Sequence, residues 1–180
     1  MSIFFVSGPP GSGKTTLCKA LAGTFDFGVH LPVDDLRLWV SSGLSESVPW
    51  TEETERQFRI AEAAACDVAM RYSDSGFAVA IDHCRNPQRL QELIELELPG
   101  RDVCRILLLP CLEENLRRNR ERKNKSFDPT ILDDTIRFTN DAYRVGVPPD
   151  WLVIDNSNLT LDETLKRVLE FGATSPPICP

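Results

Sequence analysis

The 180-residue sequence predicts one α/β domain, a three-layer sandwich in which a five-stranded parallel sheet carries helices on both faces. Short apolar runs of strand length alternate with longer stretches of helical periodicity along the whole chain. Most of these runs end at a glycine or an aspartate, and helix start signals follow them. No linker and no internal repeat interrupts the alternation, so residues 1–180 are interpreted as one domain with one core.

The first apolar run predicts a buried strand that ends at glycine, and it does not fit a cleavable leader peptide. The following helix places leucines on one face. The second strand ends at two aspartates, and a helical turn or two and a Ser, Gly and Pro-rich loop separate it from a long helix. Apolar side chains recur in that helix at steps of three and four, behind a threonine cap and two glutamates. The first three strands are expected at residues 3–7, 29–33 and 77–81, and the helices at 14–22 and 51–75. The helical turn is expected at 36–42 and the loop at 41–49.

In the second half, Asn-Pro and Asp-Pro pairs each predict a helix start, because the first residue caps and proline fits the first helical position. Thr160 and Glu163 fit a capping box for the last helix, which Gly172 is expected to end. The proline-rich tail 173–180 is expected to be loose. Strands four and five are expected at residues 103–109 and 151–154. The remaining helices are expected at 86–98, 113–122, 128–144 and 160–171.

Composition indicates a cytoplasmic protein. No apolar run reaches the roughly 20 residues of a membrane span. The six cysteines form no Cys-x-x-Cys pair and no zinc-type spacing with the two histidines, so reduced and mostly buried thiols are expected. The net charge is −7, yet segment 117–125 holds six basic residues and one acid, which leaves −12 for the rest. This pattern disfavours a general polyanion binder and favours a device for one small anion, with a solvated helix face as the alternative.

Residues 8–15 read GPPGSGKT between a strand and a helix, which matches the P-loop pattern completely. The glycines let the backbone curl so that successive N–H groups point at phosphate oxygens, and the helix N-terminus adds partial positive charge. ATP with Mg²⁺ is therefore the expected ligand, with Lys14 at the β- and γ-phosphates and Thr15 at the metal. The predicted nucleotide-binding residues are Gly8, Pro9, Pro10, Gly11, Ser12, Gly13, Lys14, Thr15, Thr16, Arg118 and Arg122.

Elements outside the P-loop favour a kinase. The guanine signature Asn-Lys-x-Asp and a switch-type Asp-x-x-Gly after the third strand are both missing, and the chain is too short for an AAA-type module with a helical lid. Asp34 and Asp35 follow the second strand, where a carboxylate can accept the proton of an attacking hydroxyl, and Arg37 lies one turn further. A plain helix cap is the alternative for the aspartates.

Further polar residues follow the third and fourth strands. Asp82 is expected to hold Mg²⁺ or its waters, with a turn residue as the alternative. His83 is interpreted as a structural loop residue, with a substrate contact as the alternative. Segment 117–128 is predicted to form an arginine lid in which Arg118 and Arg122 share one helix face and contact phosphate, with Arg120 in reserve.

These motifs resemble those of small P-loop kinases of the nucleoside-monophosphate-kinase fold. The closest branch is that of the polynucleotide-kinase-like and small-molecule phosphotransferases, or AAA-type ATP-binding kinases. The shared elements are the P-loop, Asp-Asp-x-Arg at 34–37, Asp-x-x-x-Asn-Pro-x-Arg at 82–89 and Arg-Asn-x-x-Arg at 118–122. The resemblance implies strand order 2-3-1-4-5 and an adenine site near residues 156–159. It also implies Asp34 as general base, Arg122 as lid arginine and Arg37 on the acceptor side. Asp35, Arg85 and Arg89 are further candidates for the acceptor side.

Three functions remain open at this level. An ATP-dependent kinase acting on a hydroxyl of a small molecule is favoured, because the charge outside the lid is strongly negative and a nucleic-acid groove would need lysines. A polynucleotide 5′-hydroxyl kinase is the alternative that motif similarity favours. A non-catalytic ATP-binding module is the third.

Overall fold

The structure, a computed structural model, describes residues 3–122 and 128–174. Strands and helices alternate along the chain, with one 3-10 turn at Pro129–Leu132. No helix in these two ranges is long and apolar enough to cross a membrane. The strands are β1 Ile3–Ser7, β2 Gly28–Pro32, β3 Ala78–His83, β4 Val103–Leu108 and β5 Trp151–Ile154. The helices are α1 Lys14–Ala22, α2 Val33–Arg37, α3 Glu52–Asp74, α4 Pro87–Glu97, α5 Leu112–Arg120, α6 Asp133–Ala142 and α7 Leu161–Thr174.

The five strands form one parallel sheet in the order β2-β3-β1-β4-β5, so both the fold class and the strand order are confirmed. The register aligns Val6 of β1, Asp82 of β3 and Pro32 of β2 across three neighbouring strands. Because parallel strands all end at the same edge, the segments that follow these residues meet there.

Two hydrophobic clusters cover the two faces of the sheet. Alternate side chains of β1 point to opposite faces, so Phe5 packs with one cluster and Phe4 with the other. The first cluster includes residues of α3 and α4, and the second includes residues of α1 and α7. The sheet is thus buried on both faces, which explains why its strands read as continuous apolar runs.

The helix start signals act as predicted. Thr51 and Thr54 cap each other at the start of α3, and the Asn86 side chain accepts a hydrogen bond from the backbone N–H of Arg89 at 2.7 Å. The backbone N–H of Thr160 donates to Glu163 at 2.8 Å, which completes the predicted capping box of α7.

Several predicted boundaries are wrong. Strand β2 is shifted one residue earlier, and Val33 already begins α2, so the helical turn covers both aspartates and not residues 36–42. Strand β2 begins at Gly28, which passes so close to α1 that a Cβ atom there would lie 1.9 Å from the carbonyl oxygen of Ala22. Strand β3 begins one residue later than predicted and continues through His83, so this histidine is a strand residue and not a loop residue.

Two helix ends also differ. Helix α7 continues through Gly172 to Thr174, so the predicted tail begins too early, and residues 175–180 lie outside the described chain. Gly172 lies inside α7 where the helix packs closely on β1, since a Cβ atom at this position would lie 3.2 Å from the Phe4 ring. The expected helix 128–144 begins with the 3-10 turn before α6 continues to Ala142.

The described cysteines form no disulfide bond. Cys18, Cys66 and Cys104 are buried, as expected, while Cys111 is exposed. Burial raises the pKa of Cys66 and of Cys104 to about 12, which keeps both thiols protonated.

Candidate active site

The P-loop joins β1 to α1 and depends on three glycines with positive φ. Gly8, Gly11 and Gly13 have φ values of 152°, 84° and 99°, which side-chain-bearing residues rarely adopt. A Cβ atom at Gly8 would lie 2.4 Å from the carbonyl oxygen of Leu108. The ammonium group of Lys14 donates to the carbonyls of Gly8 and Pro9 at 2.8 and 3.0 Å, so the lysine lies folded along the loop.

Three buried asparagines brace the P-loop from outside, and the sequence analysis missed two of them. Asn115 of α5 donates to the carbonyl of Pro10 at 2.6 Å, and Asn140 of α6 donates to the Asn115 side chain at 3.2 Å. Asn156, which follows β5, donates to the carbonyl of Ser12 at 3.0 Å. Two carbonyls of the loop, those of Pro10 and Ser12, are thus satisfied by neutral amides, which add no charge beside the loop.

Asp82 lies at the end of β3 against α1. Its Oδ1 accepts a hydrogen bond from the Thr15 hydroxyl at 3.4 Å, and its Oδ2 lies 2.5 Å from Nε2 of His30. The hydroxyl and the carboxylate are both oxygen donors of the kind that Mg²⁺ prefers, so the pair fits the metal role predicted for it. His30 was not predicted, because nothing in the sequence shows that β2 places it beside Asp82.

Asp34 and Arg37 occupy the short helix α2 directly beyond β2. Asp34 Oδ1 is buried and has no hydrogen-bond partner in the described part of the chain, whereas Asp35 is exposed. A carboxylate oxygen of Asp34 lies within 4.8 Å of a ring nitrogen of His83. The aspartates therefore do not serve as a side-chain cap, since α2 has no such cap.

Arg37 is buried and turned toward the loop between α2 and α3. Its terminal nitrogens donate to the carbonyl of Ser45 at 2.6 Å and to the hydroxyl of Ser47 at 2.8 Å. Its guanidinium carbon lies 4.6 Å from the ring centre of Phe58. The arginine thus holds the 38–50 loop against α3.

Glu62 in the middle of α3 is fully buried and connects three basic side chains. Its Oε1 lies 2.9 Å from His83 Nε2 and 2.9 Å from Arg85 Nε, and its Oε2 lies 3.1 Å from Arg89. No sequence pattern points to Glu62, because the partners of a glutamate among apolar helix positions are defined only by the folded structure.

Both acid and histidine have strongly shifted pKa values. Burial raises the pKa of Glu62, but hydrogen bonds and charges of His83 and Arg85 outweigh it and lower the pKa to about 2. Burial lowers the pKa of His83, but contacts with Cys84 and Glu62 outweigh it and raise the pKa to about 9, with Asp34 adding to the rise. The cluster is therefore held as an ion network at neutral pH.

The arginines of α5 differ from the predicted lid arrangement. Helix α5 ends at Arg120, so Arg118 and Arg122 do not share a helix face as predicted. Arg118 donates to Glu114 at 2.6 Å and to the carbonyl of Asn156 at 2.8 Å, which ties α5 to the loop after β5. Arg120 lies 2.5 Å from Asp133. Of the described residues, none forms an ion pair with Arg122, and positions 123–127 of the predicted lid lie outside the described chain.

Most of the predicted residues therefore converge at one edge of the sheet. The P-loop follows β1, Asp34 follows β2, and Asp82 is the second-last residue of β3 at this edge. The Ser7 hydroxyl at the end of β1 donates to the carbonyl of Arg85 at 2.6 Å. Arg85 and Arg89 lie beside this edge but are paired with glutamates. The roles predicted for these residues stay predictions.

Comparisons with known proteins agree with this architecture. The model of the family "ATPase family associated with various cellular activities (AAA)" matches residues 4–69, well under half of the chain. No curated protein matches the chain in sequence.

Solved structures match over nearly the whole length. A sugar kinase from Janibacter sp. HTCC2649 superposes with a TM-score of 0.71 and 18% identity, covering 100% of this chain and 99% of that one. A gluconokinase from Sinorhizobium meliloti 1021 superposes with a TM-score of 0.67 and 17% identity, covering 96% of this chain and 91% of that one. A shikimate kinase from Acinetobacter baumannii in complex with shikimate superposes with a TM-score of 0.60 and 18% identity, covering 93% of this chain and 90% of that one. The chain has the fold of the small P-loop kinases.

Proposed function

We propose that the chain is an ATP-dependent kinase that transfers the γ-phosphoryl group to a hydroxyl group of a small molecule. The observation that carries the proposal is the position of Asp34 in α2, at the same edge of the sheet as the P-loop, with its Oδ1 buried and without a hydrogen-bond partner among the described residues. A buried, unpaired carboxylate oxygen is suited to accept a proton from an incoming hydroxyl. The solved structures of the same fold are named as kinases of sugar, gluconate and shikimate.

In this proposal the P-loop N–H groups and Lys14 hold the phosphates. Asp34 takes the proton of the acceptor hydroxyl while the oxygen of that hydroxyl bonds to the γ-phosphorus. The bond from that phosphorus to the bridging β–γ oxygen breaks, and ADP leaves. Thr15 and Asp82 would hold Mg²⁺, which neutralises phosphate charge when bound. Arg122 is assigned to the donor phosphates and Arg37 to the acceptor side, as the motif resemblance implies, and Arg118 is assigned to the donor phosphates from its place in the basic segment.

The test uses labelled ATP with a panel of hydroxylated metabolites and nucleosides, and with a 5′-hydroxyl oligonucleotide. Transfer to a small molecule is expected, and Asp34→Asn should lower kcat by about 10²–10⁴-fold while ATP still binds. Asp26→Asn, an exposed carboxylate before β2, is the matched control and should leave kcat unchanged. Unchanged turnover in Asp34→Asn would remove the residue as base, and ATP binding without any transfer would indicate a non-catalytic module.

A polynucleotide 5′-hydroxyl kinase is the second candidate. The order of the Asp-Asp-x-Arg and Asn-Pro-x-Arg elements favours it, since the polynucleotide-kinase-like branch shares them. Transfer to the oligonucleotide alone, with the strong salt dependence of phosphate contacts, would select this candidate.

A further inference from the structure

Three side chains of the kinds that bind transition metals meet beside the end of β3. A carboxylate oxygen of Asp34, a ring nitrogen of His83 and the sulfur atom of Cys84 all lie within 4.8 Å of one another. Asp34 belongs to α2, whereas His83 ends β3 and Cys84 follows it. Because the group joins two separate elements, no spacing of cysteines and histidines in the sequence reveals it.

His83 has one ring nitrogen left for this group. Its Nε2 lies 2.9 Å from Glu62 Oε1 and donates its proton, since a carboxylate only accepts. Its Nδ1 is buried and has no hydrogen-bond partner in residues 3–122 and 128–174. A carboxylate on one ring nitrogen commonly fixes the orientation of a metal-binding histidine, and Glu62 occupies this position.

Asp34 and Cys84 are placed to complete a site with this nitrogen. Asp34 Oδ1 is a second buried atom without a hydrogen-bond partner in the described chain. Buried polar atoms are nearly always paired, so two unpaired ones on neighbouring elements point to a ligand that both bind. The proposed transfer reaction uses the Asp34 carboxylate but gives no role to Nδ1 of His83. Cys84 is only half-buried, so an ion can approach from solvent.

This group is separate from the pair proposed to hold Mg²⁺. Asp82 faces α1, where its Oδ1 accepts from Thr15, and His83 faces α3, where Glu62 lies. Successive strand residues point to opposite faces of the sheet, so adjacent positions of β3 belong to two different groups. The donor atoms also differ, since Asp82 and Thr15 offer oxygen only, whereas the second group adds nitrogen and sulfur.

We propose that Asp34, His83 and Cys84 bind Zn²⁺, and that the bound ion inhibits phosphoryl transfer by occupying the Asp34 carboxylate. Imidazole and thiolate suit Zn²⁺, whereas Mg²⁺ prefers oxygen ligands. The ligand atoms of a tetrahedral zinc site lie about 3.3–3.6 Å apart, so this group has to close on the ion by at most about 1.5 Å. Three protein ligands leave the fourth position to water.

Binding is balanced in protons and charge. Zn²⁺ displaces two protons to solvent, one from Nδ1 of His83 and one from the Cys84 thiol. The ring of His83 lies between Asp34 and Glu62, and the bound ion supplies the positive charge that the ring gives up. The inhibition rests on the proposed kinase function, whereas the binding does not.

The first experiment measures binding without any transfer reaction. Reduced, chelator-treated protein is titrated with Co²⁺, a spectroscopic substitute for Zn²⁺, and Zn²⁺ is then added as competitor. A thiolate-to-cobalt charge-transfer band that Zn²⁺ abolishes is expected. Cys84→Ser should remove the band and weaken Zn²⁺ binding by at least about 100-fold, because a ligand is lost. Cys111→Ser, which removes an exposed thiol outside the group, is the matched control and should keep both.

Asp34→Asn tests whether the carboxylate belongs to the same site. The substitution should keep the thiolate band but weaken Zn²⁺ binding by at least about tenfold. The melting temperature of each metal-free variant shows that the protein is folded. Equal Zn²⁺ affinity in Asp34→Asn and the wild type would mean that Cys84 binds the ion without Asp34, which overturns the proposed site.

The second experiment measures transfer from labelled ATP at saturating Mg²⁺ while a metal buffer raises free Zn²⁺. The wild type and Cys111→Ser should lose at least about 100-fold in rate at saturation, because the base is occupied, and a zinc chelator should restore it. Cys84→Ser should keep its own zinc-free rate at the same Zn²⁺ concentrations.

The outcomes separate this inference from the kinase proposal. A missing thiolate band, or a band that Cys84→Ser retains, would overturn the metal site even if the protein transfers phosphate. Zinc binding without loss of transfer would overturn the inhibition. Zinc binding in a protein that transfers phosphate to no compound would support the metal site and overturn the kinase function, and the inhibition with it.

Discussion

The two halves of the candidate site, the donor half proposed to bind ATP and the acceptor half proposed to bind the hydroxyl compound, are built from different kinds of structure. The P-loop is one continuous segment held by backbone geometry and by the neutral amides of Asn115 and Asn156. The acceptor half is assembled from α2, α3 and the segment after β3, and buried charges such as Glu62 and Arg85 connect them. The proposed donor half is thus a local motif, whereas the proposed acceptor half depends on pairings between residues that are distant in the sequence.

Glu62→Gln should produce the largest effect on stability, because it removes the negative charge that is paired with three basic side chains in a buried site. We expect unfolding to become easier by about 3–5 kcal/mol, which is typical when one partner of a buried ion network is removed. Urea unfolding followed by circular dichroism measures it, with Glu170→Gln as a control, since Glu170 is exposed and only 3.9 Å from Lys166. An unfolding free energy equal to that of the wild type would contradict the role of Glu62 as the centre of the acceptor half.

Lys14→Ala tests the donor half alone. Loss of its ammonium group should lower kcat by about 10²–10³-fold and weaken ATP binding, because the proposal assigns this charge to the phosphates. Fold stability should change little, since Lys14 bonds only to two loop carbonyls. Titration calorimetry with ATP and a transfer assay measure the effect. Lys19→Ala, exposed on the same helix, is the control, and equal losses in both variants would mean that general charge and not position matters.

The two halves also differ in how far the sequence reveals them. The P-loop, the parallel sheet and the position of Asp34 after the second strand could be predicted, because glycine spacing and strand alternation are local patterns, whereas the strand order came only from the resemblance to the small P-loop kinases. Glu62, His30 and Asn140 could not, since each acts through a partner more than 20 positions away. The predicted ends of β2 and α5 differ from the structure for a related reason, because a close contact at Gly28 and the exact end of a helix are decided by tertiary structure.

The pH dependence of stability should separate the halves further. The pKa of Glu62 is lowered from 4.5 to about 2, so its contribution is complete above about pH 4.5 and is lost as the pH falls toward 2. By pH 3 the wild type should lose about 2 kcal/mol more than Glu62→Gln does. Urea unfolding of both proteins at pH 6, 4 and 3 measures the difference. A constant gap between the two would mean that Glu62 is not held ionised by His83, Arg85 and Arg89.

Asn115→Ala should produce the smallest effect and tests whether neutral bracing matters to the donor half. The substitution leaves the carbonyl of Pro10 without its donor and removes the acceptor of Asn140. A hydrogen bond of this kind contributes about 1 kcal/mol, so we expect ATP affinity to fall by about fivefold. Asn158→Ala, exposed in the loop after β5, serves as the control. If ATP affinity is unchanged while the melting temperature falls, Asn115 supports the packing of α5 and α6, and the P-loop keeps its shape through its glycines alone.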